Sequence, residues 1–378
     1  MGEDDEIDVS IVIPTKDEEE GIGECIKRAK AFLKEQNLRG EIIVSDNSTD
    51  STPEIARKLG AKVVTPDKKG YGYAYIYAFR HAKGKYIIMG DGDGTYDFTE
   101  ASKLLEPLVK DKADLVVGSR FKGKIIPGAM PFLHRYIGNP ILTRLMNFFF
   151  KLGISDAHSG FRAIKKESLK KLDLKGHGME FASEMLINAK RKGLKIEEVP
   201  ITYYPRKGCS KIRSFSDGWR HLKLMLLHTP TWLFLVPSML LLGIGLMLMI
   251  TFFLSIRILG FLPGEYSAVL SSLMLLSGFQ VFYLGIFSKA YALKRGVYKS
   301  KLIKFLIRYF TLERGILLGI GVIIGGIIHA SYLVYMWLVK GYKSLPFKGE
   351  YMLGFTLMVL GIQIIFSSFM LSMLIEVK

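Results

Sequence analysis

The chain is 378 residues long, 49% apolar and 23% charged, with 52 Lys and Arg against 35 Asp and Glu and a formal net charge of +17. That length leaves room for more than one domain, and so basic a balance raises the question of nucleic acid. The cations instead gather beside long apolar segments and no recognition motif accompanies them, so nucleic acid is set aside and anionic lipid is the predicted partner. Met1 to Asp8 is acidic and polar, which predicts no signal peptide, and two cysteines, Cys25 and Cys209, predict no disulfide in a reducing setting.

Strand and helix patterns alternate from the start. Val9 to Pro14 reads as a buried strand, Glu18 to Lys34 as a helix with acidic residues in its first turn, and Glu41 to Val44 as the next strand. The loop Asp46-Asn47-Ser48-Thr49-Asp50 follows, and Ser51-Thr52-Pro53-Glu54 opens a second helix with a cap and an early proline. Ala61 to Thr65 is a third strand, and Lys69-Gly70-Tyr71-Gly72 leads into a helix over Tyr71 to Ala82. Lys85 to Gly90 is the strand that delivers Asp91-Gly92-Asp93. Residues i and i+2 of an extended segment point the same way, so Asp91 and Asp93 can share one hard divalent cation, Mg²⁺ or Mn²⁺. Successive units of this length predict a mostly parallel sheet with ligands at the carboxyl ends of the strands, where Pro14, Asp46 and Asp91 fall.

Asp114 to Arg120 is another apolar strand ending in a guanidinium. Asp156-Ala157-His158-Ser159-Gly160-Phe161-Arg162 comes next, then Glu180, Glu184, Glu198 to Ile201 and Tyr204 to Lys211. Arg120, Arg206, Lys207 and Lys211 are basic residues able to make charge-assisted bonds to an anion, and Ser159 is a neutral donor in the same region. The rival reading of the basic run Arg206 to Arg213 is a juxtamembrane patch binding anionic lipid. Glu180 and Glu184 share a helix face, with Glu184 read as structural or as an acceptor-site residue. His158 and His177 read as loop residues, since no Cys or carboxylate stands at metal spacing from either. Tyr71, Tyr73, Tyr75 and Tyr77 cannot all face one ligand, and most are predicted to be surface or packing residues.

After about Pro230 the composition changes. Four apolar segments, 232–256, 268–286, 315–339 and 352–375, are each near or above the ~20 residues that span a bilayer. Residues 1–213 are therefore predicted to form a catalytic domain, 214–230 an interfacial helix and 231–378 an all-α membrane domain. Met130 to Leu152 and Ser214 to Thr229 mix apolar and basic residues, as helices lying on a bilayer surface do. Gly315, Gly319, Gly321 and Gly325 include GxxxG spacings that permit close helix packing, and His329 is predicted to be neutral and hydrogen-bonded to a neighbouring helix. The loop Lys289 to Arg314 is far more basic than Arg257 to Tyr266 or Lys340 to Glu350. Positive charge stays inside, which puts the protein in the cell membrane with the catalytic domain and both termini cytoplasmic.

Four stretches carry a resemblance: Ile13 to Glu19, Ser45 to Asp50, Lys69 to Ala74 and Asp91-Gly92-Asp93, in that order and spacing. They resemble a family 2 glycosyltransferase with the α/β, Rossmann-like GT-A fold. The later segments are similar to the branch that loads one sugar onto polyprenyl phosphate, the dolichol-phosphate mannose and glucose synthases. The resemblance implies that Pro14, Thr15 and Glu18 line the nucleoside pocket, that Asp46 binds base or ribose, and that Lys69, Gly70 and Gly92 belong to the donor site. It implies that Asp91 and Asp93 hold the metal, whereas Thr95 stands where the dolichol-phosphate mannose synthases carry Gln, so its own ligation is in doubt. The implied reaction is inverting, metal-dependent transfer of one hexose or N-acetylhexosamine to dolichyl phosphate from GDP-mannose, UDP-glucose or a UDP-N-acetylhexosamine. The rivals are a processive polysaccharide synthase, whose Gln-x-x-Arg-Trp motif is missing, and a non-catalytic scaffold or lipid-phosphosugar translocase.

Overall fold

The structure is a computed structural model that describes residues 7–208, 214–258, 260–294, 305, 309, 311–339 and 349–376. The candidate acceptor residue Lys211 lies outside the described residues, as do the loop cations Arg295, Lys299, Lys301, Lys304, Arg308, Lys340, Lys343 and Lys348. Two compact units divide the chain, Met1–Met225 and Leu226–Lys378.

The first unit is built on a seven-stranded sheet. Its strands are β1 (Val9–Thr15), β2 (Gly40–Asp46), β3 (Lys62–Val64), β4 (Tyr86–Met89), β5 (Leu115–Ile125), β6 (Arg162–Lys165) and β7 (Ile196–Tyr203), in the spatial order β3-β2-β1-β4-β6-β5-β7. The helices are α1 (Glu19–Glu35), α2 (Thr52–Lys58), α3 (Tyr71–Phe79), α4 (Ala101–Val109), α5 (Asn139–Phe150), α6 (Lys166–Lys170), α7 (Phe181–Arg191) and α8 (Ser214–Leu227). Alternate residues of β1 feed two separate cores. Val9, Ile11 and Ile13 pack with Ile22, Phe32 and Leu104 from α1 and α4, while Val12 packs with Tyr75 and Met185 from α3 and α7. That two-sided burial is why β1 reads as a continuous apolar run.

The pairings β1–β2, β1–β4, β2–β3 and β5–β7 are parallel, as predicted from the alternating pattern. Strand β6, which the sequence pattern does not reveal, is antiparallel to both β4 and β5. It is only four residues long and begins at Arg162, a residue type that does not advertise a buried strand. Its direction matters, because the segment that enters it, Asp156 to Phe161, is thereby brought to the same sheet edge as the ends of β1, β2 and β4.

Met130 to Leu152 forms a π turn at His134–Gly138 followed by α5. Met146 and Thr143 are buried, while Phe132, Tyr136, Ile141 and Phe148 are exposed. Helix α8 is tied to the α/β unit by Met225, buried in its second core, and by a 2.8 Å hydrogen bond between Ser183 Oγ and His221 Nδ1.

The second unit contains α9 (Val236–Phe253), α10 (Glu265–Lys294), α11 (Leu312–Val339) and α12 (Glu350–Glu376). Helical stretches over Thr231–Phe253, Glu265–Lys294, Leu312–Val339 and Glu350–Ile375 are long and apolar enough to cross a membrane. The second is longer than the apolar run 268–286 because the helix continues through Lys289 to Lys294. Glycines set the approach of α11 to α12: a Cβ on Gly319 would lie 2.7 Å from the Gly361 carbonyl oxygen, and one on Gly326 would lie 2.8 Å from that of Gly354. Gly321 and Gly325 have nothing within 4 Å, so the contact uses Gly315, Gly319 and Gly326 and not the second GxxxG spacing. His329 Nε2 donates to the Glu350 carbonyl at 3.0 Å, the neighbouring-helix partner expected of it.

Gly319→Leu should lower the thermal midpoint of the detergent-solubilised protein, since overpacking a close contact costs about 1–3 kcal/mol. Gly321→Leu should leave it unchanged. Equal melting of the two variants would contradict the glycine contact described above.

Candidate active site

The carboxyl ends of β1, β2 and β4 hold the residues singled out for the donor. Thr15 stands opposite Asp46 in the β1–β2 register, and its Oγ1 donates to Asp46 Oδ1 at 2.7 Å. Asp46 also accepts from Ser48, through Oγ at 2.5 Å and the backbone N–H at 3.1 Å, and is buried. The two loops are laced further by Asp17, which accepts from the Thr49 N–H at 2.8 Å, and by Glu18, whose N–H donates to Thr52 Oγ1 at 2.9 Å. Pro14, Thr15, Glu18 and Asp46 are all buried at this edge. Gly70, with φ of +146°, lies against the His177 carbonyl, where a side chain would collide, while Lys69 is exposed.

The Asp91-Gly92-Asp93 turn is pressed against β1 and α1. A Cβ on Gly92 would sit 2.6 Å from Thr15 Cγ2, and one on Gly21 would sit 2.6 Å from the Gly92 carbonyl, so both positions need glycine. Asp93 Oδ1 accepts from the N–H and Oγ1 of Thr95, at 3.0 and 2.6 Å. Thr95 thus fixes one oxygen of Asp93 and leaves Oδ2 to face a cation. Asp91 Oδ1 accepts from Tyr71 Oη at 2.9 Å and from Tyr75 Oη at 3.4 Å. Burial first, and the Asp91 charge second, push both phenols well above their ordinary pKa, so they remain donors. The sequence reading placed most of the four tyrosines at the surface or in packing. The i, i+4 spacing of Tyr71 and Tyr75 was the available sign that these two share a face.

Burial, and then the neighbouring Asp93 charge, push the Asp91 carboxyl up to about 7. Two carboxylates are crowded here with too little water to disperse their charge, which is the setting a divalent cation relieves. A protein cation stands in for it: Arg206 Nη1 lies 3.2 Å from Asp93 Oδ2, and its Nη2 donates to Glu18. Among the described residues no three His, Cys, Asp or Glu side chains are grouped to hold a metal alone. The two carboxylates therefore fit the arrangement in which Mg²⁺ or Mn²⁺ shares its ligands with substrate phosphates.

Arg206 is carried there by the chain that follows β7. Tyr203 pairs with Tyr96, the Tyr204 N–H donates to the Thr95 carbonyl at 3.0 Å, and the Lys207 N–H donates to the Asp93 carbonyl at 2.9 Å. Lys207 is paired with Glu24. The four described members of the expected phosphate cradle are placed apart in their partners: Arg206 and Lys207 pair with Asp93, Glu18 and Glu24, whereas Arg120 pairs with Asp156, three residues before Ser159 in the same segment.

Arg120 is itself committed. Its Nε and Nη2 donate to Asp156 at 2.7 and 2.8 Å, and its guanidinium lies 5.1 Å over the Tyr203 ring. Asp156 is positioned by Glu198, which accepts from the N–H groups of Ser155 and Asp156 at 2.8 and 2.9 Å. Ser159 is fully buried, and its carbonyl accepts from Arg162 Nε at 2.8 Å. Arg162 also donates to the carbonyls of Ala157 and Ala182, pinning the segment before β6. Glu184 accepts from the N–H groups of Lys175 and Gly176, a structural role for one of its two expected readings.

Residues 10–173 match the family model for glycosyl transferase family 2, and 286–375 match that of the glycosyltransferase family 2 C-terminal transmembrane region. The chain is 41% identical to the low-salt glycan biosynthesis hexosyltransferase Agl6 of Haloferax volcanii over 97% of its own length and 89% of that protein. The chain belongs to glycosyltransferase family 2. The dolichyl-phosphate hexose transferase of the same organism is 34% identical over 56% of the chain and 89% of that protein. Among solved structures, mannosyl-3-phosphoglycerate synthase from Rubrobacter xylanophilus superposes with a TM-score of 0.50 at 19% identity, covering 58% of this chain and 73% of that one. That likeness concerns the fold, which is GT-A. This family 2 enzyme is a membrane glycosyltransferase, with its α/β unit followed by four apolar helices.

Two measurements follow from the carboxylate pair. Mn²⁺ affinity of the glycosyltransferase should weaken as pH falls through about 7, because the proton bound by Asp91 competes with the cation. Arg206→Ala should tighten nucleotide-free Mn²⁺ binding by about two- to fivefold, the scale of one partly exposed ion pair. Weaker binding in Arg206→Ala would mean that Arg206 supports the cation and does not compete with it.

Proposed function

We propose that this glycosyltransferase moves a single hexose or N-acetylhexosamine from a nucleoside-diphosphate sugar to a polyprenyl phosphate, of the dolichyl class, with inversion at the anomeric carbon. The observation that carries the reading is the carboxylate pair Asp91 and Asp93 at the sheet edge of a chain that also bears four membrane-length helices. The names of two relatives, a glycan biosynthesis hexosyltransferase and a dolichyl-phosphate hexose transferase, support the sugar and acceptor classes.

In this reading the nucleoside lies along Pro14, Thr15, Glu18 and Asp46, and the diphosphate reaches Asp91 and Asp93 past Lys69 and Gly70. A divalent cation there, Mg²⁺ or Mn²⁺, supplies charge neutralisation for the departing nucleoside diphosphate. The acceptor needs no general base, since the second pKa of a phosphate monoester lies near ~6 and the attacking oxygen is already anionic. The residues therefore position and neutralise. Arg120, held by Asp156, fixes the acceptor-side segment Asp156 to Phe161 that carries Ser159. Arg206 and Lys207, which here pair with Asp93, Glu18 and Glu24, are the cations near this edge that would hold the lipid phosphate in line. The α/β unit works on the cytoplasmic side, where the basic loop between α10 and α11 is retained.

Purified enzyme should convert dolichyl phosphate and one member of a nucleotide-sugar panel into a lipid phosphosugar, identified by mass. Asp91→Ala and Asp93→Ala should each lower the rate by about 10²- to 10³-fold or more, the usual cost of one contact to developing charge. Undiminished turnover in excess EDTA, with metal removal verified, would refute the role given to the pair. Turnover only on a growing polysaccharide would refute the acceptor.

A further inference from the structure

Asp91 is held by two phenols. Tyr71 and Tyr75 lie four residues apart on one face of α3, and both hydroxyls converge on the same atom, Asp91 Oδ1, at 2.9 and 3.4 Å. Packing alone does not require those hydroxyls. Tyr75 is fully buried with its ring stacked on Phe181 at 5.3 Å and Tyr71 edge-on at 5.2 Å, contacts a phenylalanine would make equally well. Gly160 keeps the space beside the carboxylate clear, since a Cβ there would come within 2.9 Å of both Asp91 Oδ2 and Tyr71 Oη. Gly160 is in turn fixed by its N–H donating to Tyr96 Oη at 2.8 Å. The carboxylate is thus oriented, with one oxygen engaged by neutral donors and the other left for a cation. Asp93 is treated in parallel, with Thr95 on Oδ1 and Oδ2 turned to a positive charge.

We propose that Tyr71 and Tyr75 are positioning residues that orient Asp91 so that it offers a single oxygen, Oδ2, to the divalent cation of the donor complex. The pair acts on cation affinity and not on the sugar or the lipid. Hydrogen-bonding partners of metal-ligating carboxylates hold the ligand in register, and their loss typically costs 10- to 100-fold in metal affinity. The inference rests on the reading of Asp91 and Asp93 as the metal pair, and the experiment separates the two.

Mn²⁺ binding to the intact, detergent-solubilised protein is measured without nucleotide or lipid, by electron paramagnetic resonance titration, for wild type, Tyr71→Phe, the double variant Tyr71→Phe/Tyr75→Phe, Tyr77→Phe and Asp91→Asn. The double variant should bind Mn²⁺ about tenfold more weakly or worse, and Tyr77→Phe should match wild type. In transfer assays the Mn²⁺ concentration for half-maximal rate should rise by the same factor, with the rate at saturating Mn²⁺ little changed. A rate lost at saturating Mn²⁺ with normal affinity would overturn the positioning role. Binding abolished in Asp91→Asn but unchanged in the double variant would overturn it while leaving the metal pair intact. Binding indifferent to Asp91→Asn would overturn both.

Discussion

The constraint on which this site depends is the crowding of negative charge at one edge of a sheet. Parallel β1, β2 and β4 end together, and each end delivers a carboxylate or leads directly to one: Asp46 from β2, Glu18 after β1, Asp91 and Asp93 after β4. A fold that stopped there would repel itself. The chain answers with three kinds of compensation, namely hydroxyl and backbone donors on Asp46 and Asp93, phenols on Asp91, and a guanidinium across Asp93 and Glu18. Only the last carries a full charge, and it is the one a metal-bound diphosphate can replace. Under the proposed function, with Asp91 and Asp93 as the metal pair, binding of the donor is an exchange of cations at fixed carboxylates more than the creation of a new charged site.

The second half of the sheet brings a further segment to the same edge. A further parallel strand in the place of β6 would have approached from the amino end. Running antiparallel, β6 brings Asp156 to Phe161 in over the carboxyl ends, and Arg162 locks that approach with three carbonyl bonds from a buried guanidinium. A buried Arg carries a heavy desolvation cost unless its donors are met, so the geometry of the preceding loop is strongly specified.

Much of this was legible in the sequence, for identifiable reasons. The strands β1, β2 and β4 announce themselves as apolar runs because both faces are buried, and Asp91-Gly92-Asp93 stands out because two carboxylates interrupt such a run. Pro14, Thr15, Glu18 and Asp46, the residues expected to line a donor site, come together since they share a sheet edge, which topology alone predicts. What topology could not supply was the partner of each charge. Arg206 and Lys207 lie far along the chain from Glu18 and Glu24, and nothing in local spacing links them. Arg120 looked like a free phosphate ligand because Asp156, 36 residues away, is joined to it only in three dimensions. The tyrosines of α3 do pack, as an aromatic stripe usually does, but periodicity carries no sign of what the Tyr71 and Tyr75 hydroxyls bond. Among the glycines of α11, the GxxxG rule identified Gly315 and Gly319 but not Gly326, because which small residues touch depends on the facing helix.

The two arginines also differ in what they are able to do, and burial decides it. Arg120 and Asp156 have side chains 7% and 0% exposed and are joined by two parallel bonds. Separating such a pair leaves a buried charge without compensation, at a cost on the order of 3–5 kcal/mol, more than an encounter with one substrate phosphate readily repays. Arg206 is 20% exposed and spans two buried carboxylates, Asp93 and Glu18, with one nitrogen on each and no two-bonded fork to either. Arg120 is thus a fixed element whose charge is already met by Asp156, and Arg206 is the less buried of the two, held by single contacts to two separate carboxylates. The two cations therefore play different structural parts: Arg120, through Asp156, fixes the segment that enters β6, whereas Arg206 offsets the charge that the turn after β4 crowds beside Glu18.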